Sequence, residues 1–245
     1  MFALQSFVKR LNAILPLQPE AAEALLSLSG FSTAMQRGRG ILEGDFTLDH
    51  IGFVEEGVAH RFAENRAGAR QLTALYIPGD AVNLSSLVVE DAVGRYEALT
   101  AGSMFWLSRA SVQDIMAEYP SLIQAFWGYC ARDALKAVDW IKSLGLHTGL
   151  ERVSYFLFET GERYRAIGQL ARGEFPFALT QQQIAAATGL TAIHVNRMLR
   201  ELRLAGVIDI RKGVARVLDH DGLREQASFD AAGLALPEPR RVSPH

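Results

Sequence analysis

The sequence predicts an α+β protein with an antiparallel β domain, a long connecting helix and a C-terminal helix-turn-helix followed by a hairpin wing. Three observations predict it. Between residues 31 and 118, β-prone runs such as "HIGFVEEGVAHRF" and "YEALTAGSMFWLS" alternate with glycine turns. From Pro120 to Leu144, apolar and small residues keep a 3-4 spacing over three heptads. Near the C-terminal end, "LTQQQIAAATGLTAIHVNRMLRELRLAGVI" carries two amphipathic runs joined at a glycine, and a β-prone stretch follows.

Taken in order, residues 1–30 read as helical, because Phe2, Leu4, Phe7, Val8, Leu11, Ile14 and Leu15 recur at three- and four-residue spacing. The β-prone segment then reads as a small barrel or sandwich, turning at Gly38, Gly40, Gly44, Gly57, Gly68 and Gly79. In the long helix, Ile123, Cys130, Ala137 and Leu144 fall at one seam position and Trp127, Ala134 and Ile141 at the other. Such a helix either pairs with a copy of itself or lies on its own core. The small residues in mid-seam favour a homodimer. "HTGLERVSYFLFETGERY" is a further helix, and the proline-containing tail from 226 reads as loosely attached. The boundaries expected are thus 1–118, 119–148, 149–225 and 226–245.

Composition narrows the classes. About half of the residues (49%) are hydrophobic, with charge in ordinary proportion, as in a globular protein. The apolar runs are too short to span a bilayer, and the N-terminus lacks the pattern of a secretory signal. Cys130, the single cysteine, allows no intramolecular disulfide and no cysteine-ligated zinc or iron–sulfur site, so a reducing cytoplasm is the expected compartment. Net charge is −2, yet residues 180–218 hold six basic residues against two acidic ones. A local basic patch on an acidic chain is an electrostatic footprint of nucleic-acid binding.

The residues of that patch carry the chemistry. Thr180 caps a helix that begins at Gln181, Gly189 ends it, and Thr191 caps a second helix running to Leu204. On the second helix Val195, Met198, Leu199 and Leu202 share the inward face. Ala192, Ile193, His194, Asn196, Arg197 and Arg200 are left outward at the half that enters a major groove. Asn and Arg pair bidentately with adenine and guanine. "GVIDIRKGVARVL" reads as a hairpin turning at Lys212-Gly213, with Arg211, Lys212 and Arg216 placed for phosphates of double-stranded DNA.

In these motifs the chain resembles transcription regulators of the CRP/FNR superfamily (the cyclic-AMP receptor protein and the fumarate–nitrate regulator) over residues 20–220. The resemblance implies a β-roll, or double-stranded β-helix, of the cyclic-nucleotide-binding type, a dimerisation helix and a winged helix-turn-helix. It implies an inverted-repeat operator, and RNA polymerase as a partner if the protein is an activator. Ala192 and Ile193 depart from the base-reading residues of well-studied members, so their DNA preference does not carry over. Gly79, Asp80 and Arg95 are the effector-pocket candidates. Ala92 falls where cyclic-nucleotide-binding relatives place an arginine, and Arg95 lies three positions late. The resemblance therefore implies a member that holds no iron–sulfur cluster and does not depend on cyclic AMP. A nucleotide-responsive regulator, or a dimeric interaction module without DNA binding, are the alternatives. His50, His60 and His147 occur in no pattern that singles out a haem ligand. No nucleophile with a base, metal-ligand spacing or phosphate loop points to catalysis, and no metal or cofactor is indicated.

Overall fold

The computed structural model describes residues 2–42, 49–88 and 95–228; Gly44 and residues 229–245 of the tail lie outside them. Two helices open the chain, α1 (Phe2–Ile14) and α2 (Pro19–Ser27). The single helical segment read from periodicity is broken at residues 15–18. Pro16 has no N–H to give and disfavours helical backbone at Leu15, whereas Pro19 suits the first turn of the next helix. Asn12 secures the corner by accepting a hydrogen bond from the Leu17 N–H at 2.8 Å.

Among the described residues six strands follow: β1 (Gly30–Met35), β2 (His50–Glu56), β3 (Ala59–Glu64), β4 (Arg70–Tyr76), β5 (Arg95–Ala98) and β6 (Gly102–Ser108). They form two antiparallel sheets of order β1-β6-β2 and β4-β3-β5. Met35, Val54, Met104 and Trp106 from the first sheet meet Ala59, Tyr76, Tyr96 and Ala98 from the second. Trp106 is 2% exposed, and its indole N–H reaches the Thr33 hydroxyl at 2.8 Å, so the buried ring leaves no donor unpaired.

Beyond the roll come α3 (Arg109–Glu118) and the long α4 (Pro120–Leu146). The C-terminal domain holds α5 (Gly149–Ala166), β7 (Glu174–Pro176), α6 (Gln181–Thr188), α7 (Ala192–Leu204), β8 (Ile208–Arg211), β9 (Val214–Val217) and α8 (His220–Gln226), with sheet order β7-β9-β8. Its core is continuous with the outer face of the second roll sheet. Leu72 and Leu75 join Phe156, Phe158, Ile184 and Val195 in one apolar cluster. The Gln71 amide also donates to the Ala187 carbonyl at 3.3 Å.

Residues 226–228, where the tail begins, pack against the C-terminal domain. Ala227 is fully buried, and the Ser228 hydroxyl donates to Glu151 at 2.8 Å. Glu151 closes the capping box of α5, and hydrogen bonds from Thr148 and Ser228 hold its carboxyl down at about 2.

A buried ion cluster ties α1, the roll and α5 together. Asp80 is 2% exposed and meets Arg10 of α1 at 3.5 Å and Arg163 of α5. It also accepts the Ile77 N–H at 2.7 Å, and Arg163 donates to the Leu75 carbonyl at 2.9 Å. Burial alone would raise the Asp80 pKa; Arg10 and Arg163 outweigh it and hold the carboxyl below its usual value. Gly79 sets up this approach, with φ +83° and a missing Cβ that would otherwise meet the Ser6 Cβ at 2.5 Å.

Because the folded pKa of Asp80 lies below the unfolded one, its stabilisation is complete above about pH 4 and is lost as pH falls through the folded value. Asp80→Asn leaves two buried guanidiniums without their shared carboxylate and is expected to destabilise by about 3–5 kcal/mol at pH 7. Urea unfolding at pH 7 and pH 3 checks this: the wild type should lose more stability between the two than the variant. Equal urea midpoints at pH 7 would refute it.

Candidate nucleic-acid interface

The recognition unit is built by local capping. Thr180 accepts the Gln183 N–H at 3.2 Å while the Gln183 side chain accepts the Thr180 N–H at 2.8 Å, a reciprocal capping box. Gly189 ends α6 in the left-handed region (φ 64°, ψ 30°), which a side chain would strain. Thr191 then accepts the His194 N–H at 3.3 Å and starts α7. Val195, Met198 and Leu202 are buried beneath, and Leu199 is half-buried against the same cluster.

Ile193, His194, Asn196, Arg197 and Arg200 are exposed along one face, with Ala192 half-buried at its edge. Ile193 is 81% exposed, a conspicuous apolar side chain in a polar setting. The His194 ring lies 3.2 Å from the Thr191 hydroxyl. Gln181 is exposed at the start of α6, and a groove of about 310 Å³ runs between it, Asn196 and Arg200.

The wing turns at Lys212-Gly213, flanked by the Arg211–Val214 pair. Both turn residues have positive φ (50° and 78°), the two-residue turn whose twist matches a hairpin. Charge is less free here than a count of basic residues implies. Asp209 meets Arg203 at 3.1 Å and Arg211 at 2.7 Å, and Glu174 holds Arg216. Arg197, Arg200 and Lys212 form no ion pair among the described residues. Asp209 and Arg211 sit two apart on one strand, and that period-2 spacing was the signal in the sequence that could have shown the pairing.

The seam residues divide. Ile123, Trp127, Ala134 and Ile141 lie on an exposed stripe of α4, Trp127 at 72% and Ile141 at 68%. Cys130, Ala137 and Leu144 turn back toward their own chain. Cys130 packs on the cluster formed with α1, Ala137 lines a crevice with Arg61 and Trp140, and Leu144 lies against the Gly189 turn. The positions that complete the stripe are Ala131, Val138 and Gly145, each one residue later.

The structure does not bring Gly79 and Asp80 together with Arg95. The Asp80 charge is spent on Arg10 and Arg163, and Arg95 is an outward residue, 74% exposed by side chain and 3.7 Å from Glu64. Ala92 and its neighbours lie outside the described residues. Between the sheets, Tyr76 and Tyr96 stand with ring centroids 6.0 Å apart beside Met104 and Trp106. Of the histidines, His60 stacks on Phe62 at 5.2 Å, His50 lies against Phe31 at 5.5 Å and His147 ends α4.

A recognition helix with a bare polar face, a hairpin wing and a β-roll upstream define a winged helix-turn-helix DNA-binding protein. Comparison with known proteins agrees. Residues 151–226 match the model of the Crp-like helix-turn-helix domain. The chain is 25% identical over 191 residues to the transcriptional regulatory protein btr of Bordetella pertussis, covering 78% of each. It is also 25% identical over 191 residues to the transcriptional activator protein anr of Pseudomonas aeruginosa, covering 76% of this chain and 78% of that one. Its fold is that of FixK2 from Bradyrhizobium japonicum, with a TM-score of 0.70, 20% identity and coverage of 83% and 100%. A CRP/FNR-family regulator from Thermus thermophilus gives a TM-score of 0.61 at 22% identity, with coverage of 81% and 99%. Residues 151–226 thus carry a Crp-like helix-turn-helix domain, and over about three quarters of its length the chain is similar to transcription regulators.

Asp209→Asn releases Arg203 and Arg211 for phosphate contact. It should strengthen binding to random-sequence DNA and steepen the dependence of log K on log salt by about 1–2, in proportion to the added phosphate contacts. A salt titration by fluorescence anisotropy reads both, and an unchanged slope would show that these arginines already reach the phosphates.

Proposed function

We propose that the protein is a cytoplasmic, sequence-specific regulator that acts as a homodimer on inverted-repeat operators, placing α7 in the major groove. The carrying observation is the exposed face of Ile193, His194, Asn196, Arg197 and Arg200 on the capped half of α7. Asn196 suits adenine, Arg197 suits guanine, and Ile193 offers apolar contact to a thymine methyl. Thr180, Gln181, Thr191 and Lys212 flank this face and contact the sugar–phosphate backbone. RNA polymerase is a further partner if the protein activates. The reading includes no catalytic role. Among the described residues, no helix is long and apolar enough to cross a membrane.

In the dimer, α4 pairs through the stripe from Ile123 to Gly145, where Ala131, Ala134 and Gly145 permit close approach and Trp127, Val138 and Ile141 supply apolar area. Two recognition helices related by this axis would meet successive major grooves roughly 34 Å apart. Cyclic AMP is not the signal in this reading, which is supported by the tyrosines, Met104 and Trp106 packed between the roll sheets and by the outward Arg95. Bare arginines on α7 speak against an interaction module without DNA binding.

Arg197→Ala should cost about 1–3 kcal/mol at the cognate site and relax selectivity at one base pair per half-site. Lys212→Ala should weaken all sequences alike and reduce the salt slope by about 1. A footprint without two-fold symmetry would refute the operator model. Sedimentation should show Ile141→Glu as monomeric and weak on DNA, with Cys130→Ser still dimeric; a dimer surviving Ile141→Glu would place the seam elsewhere. Isothermal titration with cyclic AMP and cyclic GMP should show no binding at micromolar concentration, and heat that vanishes in Arg95→Ala would restore the nucleotide-responsive alternative.

A further inference from the structure

A cavity of about 140 Å³ opens where α1, α4 and α5 converge. Three guanidiniums line it. Arg10 and Arg163, with side chains 12% and 11% exposed, are balanced by Asp80 and by Glu159, whose side chain is 1% exposed and lies 3.6 Å from Arg163. The third, Arg132, is half-buried and has no ion pair or hydrogen bond among the described residues. Other charges on the wall cancel. Asp133 holds Lys136 at 2.7 Å, and Glu162 holds Arg165 at 3.4 Å and His220 at 3.0 Å. One buried positive charge is therefore left over, centred on Arg132. Burial lowers the Arg132 pKa, Arg10 and Arg163 lower it further, and the Glu159 carboxylate offsets only part of this.

Buried polar atoms without partners line the cavity as well. The Nε groups of Arg10 and Arg163 are buried without an acceptor, and both Glu159 carboxylate oxygens are buried without a donor. The Tyr129 hydroxyl accepts the Ala81 N–H at 3.2 Å, which leaves its own proton to give. Lys9 adds an exposed ammonium to the lining. Surplus positive charge and unpaired donors around one small cavity describe a receptor for an oxyanion.

We propose that this cavity binds a small phosphate anion, as the free ion or as the phosphate group of a metabolite, with Arg132 as its principal ligand. Because the walls come from α1, the connecting helix and the first helix of the DNA-binding domain, occupancy would set how α5 is held on the roll. That consequence, unlike the binding itself, rests on the DNA-binding reading above.

The test is thermal unfolding and isothermal titration of the full chain with sodium phosphate and with glycerol phosphate, against sodium chloride at matched ionic strength. Saturable binding and a rise in Tm beyond that in chloride are expected, and whichever anion saturates at lower concentration identifies the source. Arg132→Gln should weaken binding about 10- to 100-fold, the loss of one or more charge-assisted hydrogen bonds. Without anion its Tm should equal or exceed that of the wild type, since a repulsion is removed. No rise beyond chloride, an equal rise in Arg132→Gln, or a lower anion-free Tm in that variant would overturn the proposal. The titrations use no DNA, so they read the site even if the operator model fails. Phosphate that binds without changing DNA affinity would overturn the coupling alone.

Discussion

The structure depends on one buried carboxylate. Asp80 sits on a loop of the roll, yet its charge is satisfied by a residue from the N-terminal helix and one from the first helix of the DNA-binding domain. Apolar packing also joins these parts, through Leu72 and Leu75 on the outer sheet face, but that packing is tolerant of small displacements. Hydrogen-bonded ion pairs are not, because a shift of an ångström leaves charge uncompensated in a buried site. The cluster therefore fixes a relative orientation that hydrophobic burial would leave loosely specified.

That division of labour shapes the recognition half. Its local geometry is self-sufficient, with α6 and α7 each capped by a threonine and the hairpin turned by two residues at positive φ. The roll does not need to complete it; what the roll controls is where this finished unit is held. The exposed residues of α7 can thus vary without disturbing the attachment, and the attachment can change without rebuilding α7.

Legibility in the sequence followed the same line. Caps, the glycine stop and the wing turn are short-range chemistry, and Thr180, Gly189, Thr191 and Lys212-Gly213 could be read from their neighbours alone. The roll was legible as glycine-punctuated strands, though the pairing of β1 with β6 spans most of the domain and leaves no local trace. Asp80 and Arg163 are 83 residues apart, and nothing in either neighbourhood announces the other. In α4 the heptad reading placed Ile123, Trp127, Ala134 and Ile141 on the exposed stripe, but Cys130, Ala137 and Leu144 on positions that face their own chain. That division arises because two apolar faces, one inward through Leu122, Phe126 and Tyr129 and one outward, share the same 27 residues. With both faces apolar, a pattern of hydrophobicity alone cannot tell them apart. A strict period of 3.5 also drifts against the 3.6 of a straight helix.

Asp209 carries a consequence for how the protein searches a genome. Almost every site a regulator meets is the wrong sequence, and attraction to phosphate is the same at all of them. By engaging Arg203 and Arg211 internally, Asp209 makes the backbone of any DNA compete with a carboxylate already in place. The base contacts proposed for α7 would face no such rival, since Arg197 and Arg200 form no ion pair among the described residues. The carboxylate thus acts as a tare weight on the balance: it lowers the reading for all DNA alike, so that a larger share of what is left comes from sequence.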